Sequence, residues 1–125
     1  MKRVTGLGGV FYKANDKTAL LAWYKKHLQI AAEDWGAMFS VNDSAASHPN
    51  NYQVWSLFKA DTDYFEPSKA SFMINFTVED LDALLPVLKE EGVEIVKVAE
   101  ASEFGKFAWI LDLEGNKIEL WEPTK

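Results

Sequence analysis

Residues 73–85 read MINFTVEDLDALL, and residues 9–21 read GVFYKANDKTALL, so two similar stretches lie 64 positions apart. Each begins with a pattern typical of a β-strand, reaches an aspartate and continues with a pattern typical of a helix. The two aspartates, Asp16 and Asp80, suit an N-cap position, because a carboxylate accepts hydrogen bonds from the unpaired N–H groups of the first helical turn. The sequence therefore predicts two copies of one strand–helix unit.

The helix of each copy carries apolar side chains at the spacing of one helical face. In the second copy this stripe consists of Leu81, Leu84, Leu85 and Leu88. In the first copy it consists of Leu20, Leu21, Trp23, Tyr24 and Leu28. Each stripe needs a sheet or another helix to cover it, so we expect both helices to pack on strands.

Short strand patterns follow each helix and set the expected architecture. In the first copy they lie near residues 34–41, with a break at Gly36, and near residues 52–57. In the second copy they lie near residues 93–98, 106–111 and 117–121. The sequence thus predicts an α+β fold of two βαβββ modules, residues 1–60 and 70–125, with a linker at residues 61–69. Since about 60 residues bury a core poorly, the modules should share one eight-stranded mixed sheet.

Composition limits the class of protein. The chain has 125 residues, of which 48% are hydrophobic and 26% charged, as in a single soluble domain. It has no cysteine, which excludes disulfides and cysteine-ligated metals. The net charge of −6 arises wholly after residue 66, and basic residues form no cluster, which disfavours nucleic-acid binding. No apolar run has the length of a membrane span or signal peptide, so we expect a cytoplasmic protein without a membrane partner.

Three stretches resemble the vicinal oxygen chelate superfamily, which includes glyoxalase I, bleomycin-resistance proteins, methylmalonyl-CoA epimerase and extradiol dioxygenases. The most specific is residues 112–123, DLEGNKIELWEP, which is similar to the closing pattern of the family with Leu113 in place of the usual proline. Residues 75–82, NFTVEDLD, resemble the opening of its second module. Residues 9–12, followed by residues 22–25 and Leu28, resemble the opening strand and helix of its first module. The resemblance implies one glyoxalase/bleomycin-resistance-like domain over residues 1–125, with its sheet curled around a cleft.

The resemblance also implies four metal-ligand positions in that cleft. Two lie seven residues before the capping aspartates and are occupied by Gly9 and Met73, neither of which suits a hard metal ion. The last strand provides Glu119, which matches, and its counterpart in the first module falls within residues 53–55. Three of the four positions look lost, so we predict no cofactor, although a divalent metal stays open. His27 and His48 are more typical of surface histidines.

The remaining candidates suggest a ligand site. Glu119 is expected to face the cleft, where it would act as a general base or pair with Lys117. An apolar cleft with aromatic walls and a few polar groups is the general form of a small-molecule site. The candidate ligand-binding residues are Gln53, Trp55, Met73, Asn75, Trp109, Lys117 and Trp121.

Three functions stay open at this stage. The first is a glyoxalase/bleomycin-resistance-like protein that binds a small organic molecule in the cleft without a complete metal site. The second is a lyase, isomerase or dioxygenase-type enzyme of the same superfamily that uses Glu119. The third is a regulatory or resistance-type binding module without chemistry. The resemblance implies a homodimer in each case.

Overall fold

The structure, a computed structural model, describes residues 3–40 and 52–124. The predicted strand end at Val41, the polar loop after it and His48 lie outside the described residues. The described strands are β1 (Val4–Ala14), β2 (Gly36–Ser40), β3 (Tyr52–Lys59), β4 (Phe72–Val78), β5 (Ile95–Val98), β6 (Gly105–Leu111) and β7 (Lys117–Pro123). The helices are α1 (Lys17–Leu28) and α2 (Leu81–Glu90).

The seven described strands form one open mixed sheet in the order β2-β3-β1-β4-β7-β6-β5. Strands β1 and β4 pair antiparallel at its centre and join the two halves of the chain. Each central strand also pairs in parallel with the last strand of its own half, β1 with β3 and β4 with β7. The mixed α+β class is confirmed, and the division into two modules stays a prediction.

The eighth predicted strand is not found among the described residues. The region where it was expected, near Asp34, contributes a single bridge between Glu33 and Gly36 before β2 begins. Gly36 has a φ of 142°, and a Cβ there would collide with the backbone of Trp55. The chain therefore turns tightly at Gly36, and the residues before it do not extend into a strand.

Both predicted N-caps are confirmed. The side chain of Asp16 accepts a hydrogen bond from the Ala19 N–H at 3.0 Å, and Asp80 accepts one from the Ala83 N–H at 3.1 Å. These bonds satisfy donors that lack a partner within the helix. None of the described helices has the length and apolarity needed to cross a bilayer.

The helices cover one face of the sheet. The stripe of α2 is confirmed, because Leu81 and Leu84 are buried and Leu85 and Leu88 pack against them. In α1 only Leu20, Leu21 and Tyr24 pack on the sheet. The prediction that Trp23 and Leu28 belong to this stripe is wrong, since their side chains are 50% and 57% exposed.

The other face of the sheet, here called the helix-free face, has its own apolar cluster. Its buried members are Phe11, Phe65, Met73 and Trp109. Three of these come from alternate positions of β1, β4 and β6, whereas Phe65 comes from the predicted linker. Residues 60–71, here called the covering segment, therefore lie over the helix-free face, and Phe65 is 0% exposed. The sequence predicted only a polar connection at this place.

Candidate functional site

The site is centred on Glu119, which β7 places on the helix-free face. Strand β7 lies between β4 and β6, so that Glu119 pairs with Asn75 on one side and Trp109 on the other. The Glu119 side chain is expected on the face opposite Ile118 and Leu120, and those two residues do pack against α2. Glu119 is 3% exposed. The last strand thus carries a carboxylate into the interior of the protein.

Three neutral donors satisfy this carboxylate. The Asn75 Nδ2 donates to Oε1 at 2.6 Å, and the Trp109 Nε1 donates to Oε2 at 2.8 Å. The Tyr64 hydroxyl also donates to Oε2, at 2.5 Å. A buried charge is tolerated only when it is paired or hydrogen-bonded, and here hydrogen bonds fulfil that need. Glu119 is therefore a fully engaged acceptor in this arrangement.

Tyr64 comes from the covering segment and closes the site from above. Its ring stacks on Phe58 at 5.3 Å between centroids with an interplanar angle of 9°. The ring of Trp109 meets it edge-on, at 6.2 Å and 84°. Burial raises the pKa of the Tyr64 hydroxyl, and the negative charge of Glu119 raises it further. The hydroxyl therefore remains protonated at neutral pH and keeps its role as a donor.

Lys117 lies at the rim of the same site. Its Nζ donates to the backbone carbonyl of Tyr64 at 2.6 Å and lies 5.3 Å from the centre of the Tyr64 ring. Burial lowers the pKa of the Lys117 ammonium group, while the charge of Glu119 acts in the opposite direction. The alternative of a Glu119–Lys117 ion pair is not found in the part of the chain that the structure describes, where ion pairs join Arg3 to Glu91 and Lys106 to Asp82.

An aromatic row extends from the site along the helix-free face. Trp109 stacks with Phe107, and Phe107 stacks with Trp121 at 5.9 Å and 5°. Tyr52 of β3 reaches Trp121 with ring centroids 5.3 Å apart, although β1 and β4 lie between their strands. Rings from both halves of the chain therefore meet over the centre of the sheet.

Gly8 makes this meeting sterically feasible. It lies where the register of β1 with β4 shifts between Leu7 and Gly9, which marks a β-bulge. A Cβ at Gly8 would collide with Oδ1 of Asn75 and lie 3.0 Å from Cε3 of Trp121. Asn75 is 2% exposed, and its Oδ1 has no hydrogen-bond partner among the described residues. The absence of a side chain at Gly8 thus leaves room for both residues.

The structure brings six of the eight sequence-predicted site residues together on the helix-free face. They are Met73, Asn75, Trp109, Lys117, Glu119 and Trp121. Trp55 does not join them, because it alternates onto the helix-covered face, where it packs with Tyr24 and donates to the Tyr12 hydroxyl. The sequence predicted that Trp55 lines the cleft, and the structure places it on the opposite face of the sheet. Gln53 donates to the Leu7 carbonyl at 3.2 Å and lines a separate apolar cavity of about 250 Å³.

Sequence reasoning missed Tyr64 and Phe65. Both lie in DTDYFEPSK, residues 61–69, which was assigned to a linker because of its acidic residues, serine and proline. The adjacent aromatic pair was the available signal, since two large apolar rings in an otherwise polar stretch favour burial. Where they are buried depends on long-range packing, which the local pattern does not contain.

Comparison with known proteins matches this arrangement to a family. Residues 7–120 match the glyoxalase/bleomycin resistance protein/dioxygenase superfamily. The chain belongs to this superfamily. No curated protein matches the chain by sequence at a significant level. Of the six site residues on the helix-free face, all except Trp121 lie inside the matched range.

Solved structures with the same fold include two epimerases and a glyoxalase. Methylmalonyl-CoA epimerase from Mycobacterium tuberculosis is 25% identical with a TM-score of 0.63, covering 98% of this chain and 90% of that one. A methylmalonyl-CoA epimerase variant from Streptomyces coelicolor, in complex with 2-nitronate-propionyl-CoA, is 18% identical with a TM-score of 0.64, covering 98% and 99%. The Mn(II)-bound glyoxalase from Novosphingobium aromaticivorans is 20% identical with a TM-score of 0.60, covering 98% and 40%.

Glu119 is surrounded by hydrogen-bond donors, and the described residues form no cluster of metal-ligating side chains around it. Within residues 3–40 and 52–124, no three His, Asp or Glu side chains converge. Both Glu119 oxygens accept hydrogen bonds, from the Tyr64 hydroxyl, the Asn75 amide N–H and the Trp109 indole N–H, and the two N–H groups cannot bind a cation. Met73 offers only a soft thioether, and Gly9 has no side chain. Binding without a cofactor stays a prediction for this superfamily member.

Proposed function

We propose that the protein binds a small organic molecule on the helix-free face, beside Glu119, and that it does so without a metal ion. The observation that supports this most is the convergence of a buried carboxylate with Asn75, Trp109 and Trp121 on one face. A few polar groups among aromatic walls is the composition of small-molecule sites. Solved epimerases of similar fold are complexes with acyl-CoA compounds, which supports small-molecule binding on this fold in general.

Nuclear magnetic resonance of the tryptophan indole N–H groups tests this proposal directly. Trp109 and Trp121 report on the helix-free face, whereas Trp55 reports on the helix-covered face, and Trp→Phe variants assign the signals. The probes are methylmalonyl-CoA, hydrocinnamate, tyramine and desaminotyrosine. We expect at least one probe to shift the Trp109 or Trp121 signal while the Trp55 signal stays in place. If every probe leaves both signals unmoved, the proposed site is wrong.

A second candidate function is an enzyme that uses Glu119 as a general base. The observation that favours it is the hydrogen bond between the Tyr64 hydroxyl and the carboxylate, because it places a proton donor within hydrogen-bond reach of Glu119. A bound molecule in place of Tyr64 would present its own acidic hydrogen there. Such an enzyme would be an isomerase or lyase, in which one proton is removed from the ligand.

The substitution Glu119→Gln separates the two candidates. A protein that only binds its ligand shows no turnover of any probe before or after the substitution. A base mechanism predicts that the unmodified protein converts a probe, and that Glu119→Gln abolishes this turnover while binding changes little. The matched control is Glu114→Gln, which removes a carboxylate from the exposed turn between β6 and β7. Equal turnover in Glu119→Gln and in the unmodified protein would exclude Glu119 as the base. A homodimer and a cytoplasmic location are further predictions for either function.

A further inference from the structure

Tyr64 occupies the site in the way that a bound aromatic molecule would. Its hydroxyl reaches an acceptor at the bottom, Glu119 Oε2, and its ring lies between the face of Phe58 and the ring of Trp109. At the other end, its backbone carbonyl accepts a hydrogen bond from the Lys117 ammonium group. The space that the Tyr64 side chain fills between Phe58 and Trp109 is here called the slot. It presents an acceptor, two aromatic walls and a cation, in that order along one axis.

The covering segment that carries Tyr64 is bonded partly to itself and partly to the sheet, and its bonds to the sheet lie at its two ends and at Tyr64. Its internal backbone hydrogen bonds join Glu66 to Asp63 and Ser68 to Phe65. Two side-chain bonds, Tyr64 N–H to Thr62 Oγ1 and Ala70 N–H to Ser68 Oγ, are also internal. Four described bonds tie it to the sheet. Two are made by Tyr64, and the other two lie at its ends, from the Thr62 N–H to the Lys59 carbonyl and from the Lys13 N–H to the Ser71 carbonyl.

This division of bonds means that the part of the segment around Tyr64 can leave the sheet with its own turns intact. Lifting the part around Tyr64 breaks the two polar contacts of that residue and uncovers Phe65, while the internal turns and the end bonds to Lys59 and Lys13 remain paired. A molecule that restores the same polar contacts and covers the same apolar surface offsets that cost. Exchange between the two occupants then follows their relative free energies, as in any population shift.

We propose that Tyr64 is an internal stand-in for the ligand, and that the ligand class is a neutral phenol carrying a carboxylate a few bonds from its ring. This inference rests on the proposed binding site beside Glu119. The phenol hydroxyl donates to Glu119, the ring lies between Phe58 and Trp109, and the carboxylate meets Lys117. A ligand without the hydroxyl leaves a buried acceptor short of a donor, which lowers affinity.

The position of the lysines favours an anion at the rim of the slot. Lys117 Nζ lies 5.7 Å from the centre of the Trp109 ring, and Lys97 Nζ lies 6.0 Å from the same centre. Neither forms an ion pair within the described residues. A ligand carboxylate would be attracted by both ammonium groups, against the opposing charges of Asp63 and Glu66, which also act on Lys117. A ligand ammonium group would be repelled by the two lysines.

Desaminotyrosine is the probe for this inference, because it is the side chain of tyrosine with a carboxylate at the position of the Tyr64 carbonyl. Hydrocinnamate lacks its hydroxyl, and tyramine replaces its carboxylate by an ammonium group. Titration of the unmodified protein, followed at the Trp109 indole N–H, is expected to give the highest affinity for desaminotyrosine, with each comparison compound about tenfold weaker.

Variants of Tyr64 test the competition itself. Tyr64→Phe removes the bond to Glu119 and keeps the ring, so desaminotyrosine should bind severalfold more tightly than in the unmodified protein. Tyr64→Ala vacates the slot and should strengthen binding by about tenfold or more, since the internal competitor is gone. Tyr24→Ala, the same change on the helix-covered face, is the control and should leave the affinity unchanged.

The outcomes separate this inference from the proposed function. If desaminotyrosine binds no better than hydrocinnamate and tyramine, or if Tyr64→Phe does not strengthen its binding, the stand-in role is wrong. In that case shifts of Trp109 by other probes still support the proposed site. If no probe shifts Trp109 or Trp121 in the unmodified protein, the site and the inference both fail.

Discussion

At the residue scale, Gly8 has a role that a side chain would abolish. Its backbone lies against Asn75, which holds Glu119, and against Trp121. We predict that Gly8→Ala lowers the free energy of unfolding by about 1–3 kcal/mol, because Asn75 is buried and hydrogen-bonded and cannot move aside without disturbing Glu119. Urea denaturation at neutral pH measures the effect.

Gly6→Ala is the matched control for that prediction. A Cβ at Gly6 would lie 3.3 Å from Oγ1 of Thr77, a tight contact that a small movement relieves. We expect a loss well below that of Gly8→Ala. A Gly8→Ala protein as stable as the Gly6→Ala protein would show that Asn75 and Glu119 can rearrange at little cost.

The same residues show how far sequence reasoning reaches. Glu119 and Asn75 could be placed on one face because strand alternation is a local rule. Trp55 was misplaced, because the same rule needs a reference residue whose face is already known, and the first copy supplied none. The three donors to Glu119 come from positions 64, 75 and 109, and only packing of the whole chain brings such distant residues together.

At the element scale, the two helices offer a matched pair of caps. We predict that Asp16→Ala and Asp80→Ala each lower the free energy of unfolding by about 0.5–2 kcal/mol, because each removes one hydrogen bond to the first turn. Asp→Asn at either position keeps an accepting oxygen and should cost much less. Thermal or urea unfolding measures both, and an Asn variant as unstable as its Ala counterpart would assign the effect to charge alone.

The covering segment gives an element-scale prediction of pH dependence. Because the pKa of Tyr64 is raised in the folded protein, its neutral form is favoured by folding. The unfolded tyrosine ionises near its ordinary pKa of 10.0, so this contribution is complete below pH 10 and is lost as the pH rises further. The free energy of unfolding should therefore fall above about pH 10 in the unmodified protein.

Tyr64→Phe should remove part of that alkaline decline. Burial also raises the pKa of Tyr12, to about 12, so a residual decline is expected in this variant. Tyr12→Phe is the control that keeps the Tyr64 contribution. Urea midpoints measured between neutral and alkaline pH decide the matter, and an unchanged decline in Tyr64→Phe would mean that Tyr64 is already free to ionise in the folded protein.

At the scale of the whole molecule, the sequence predicted the repeated strand–helix unit and the single shared sheet. These follow from periodicity and caps, which each copy carries locally. The side chains that cover the helix-free face could not be predicted from these local patterns. Their position depends on the connection between the two halves, which folds back over both of them. The same connection places Phe65 in one apolar cluster with residues of β1, β4 and β6.

That shared cluster makes the two halves one folding unit. The helix-free face unites Phe11 of the first half, Met73 and Trp109 of the second, and Phe65 of the covering segment. Strands β1 and β4 also pair along most of their length, so neither half can unfold without exposing the edge and the core of the other. We predict a single unfolding transition in urea, with the Trp55 and Trp109 indole N–H signals disappearing at the same midpoint. Separate midpoints for these two signals would show that the pairing of β1 with β4 and the cluster around Phe65 are too weak to couple the halves. Since Trp55 and Trp109 lie on opposite faces and in different halves, agreement between them tests both links at once.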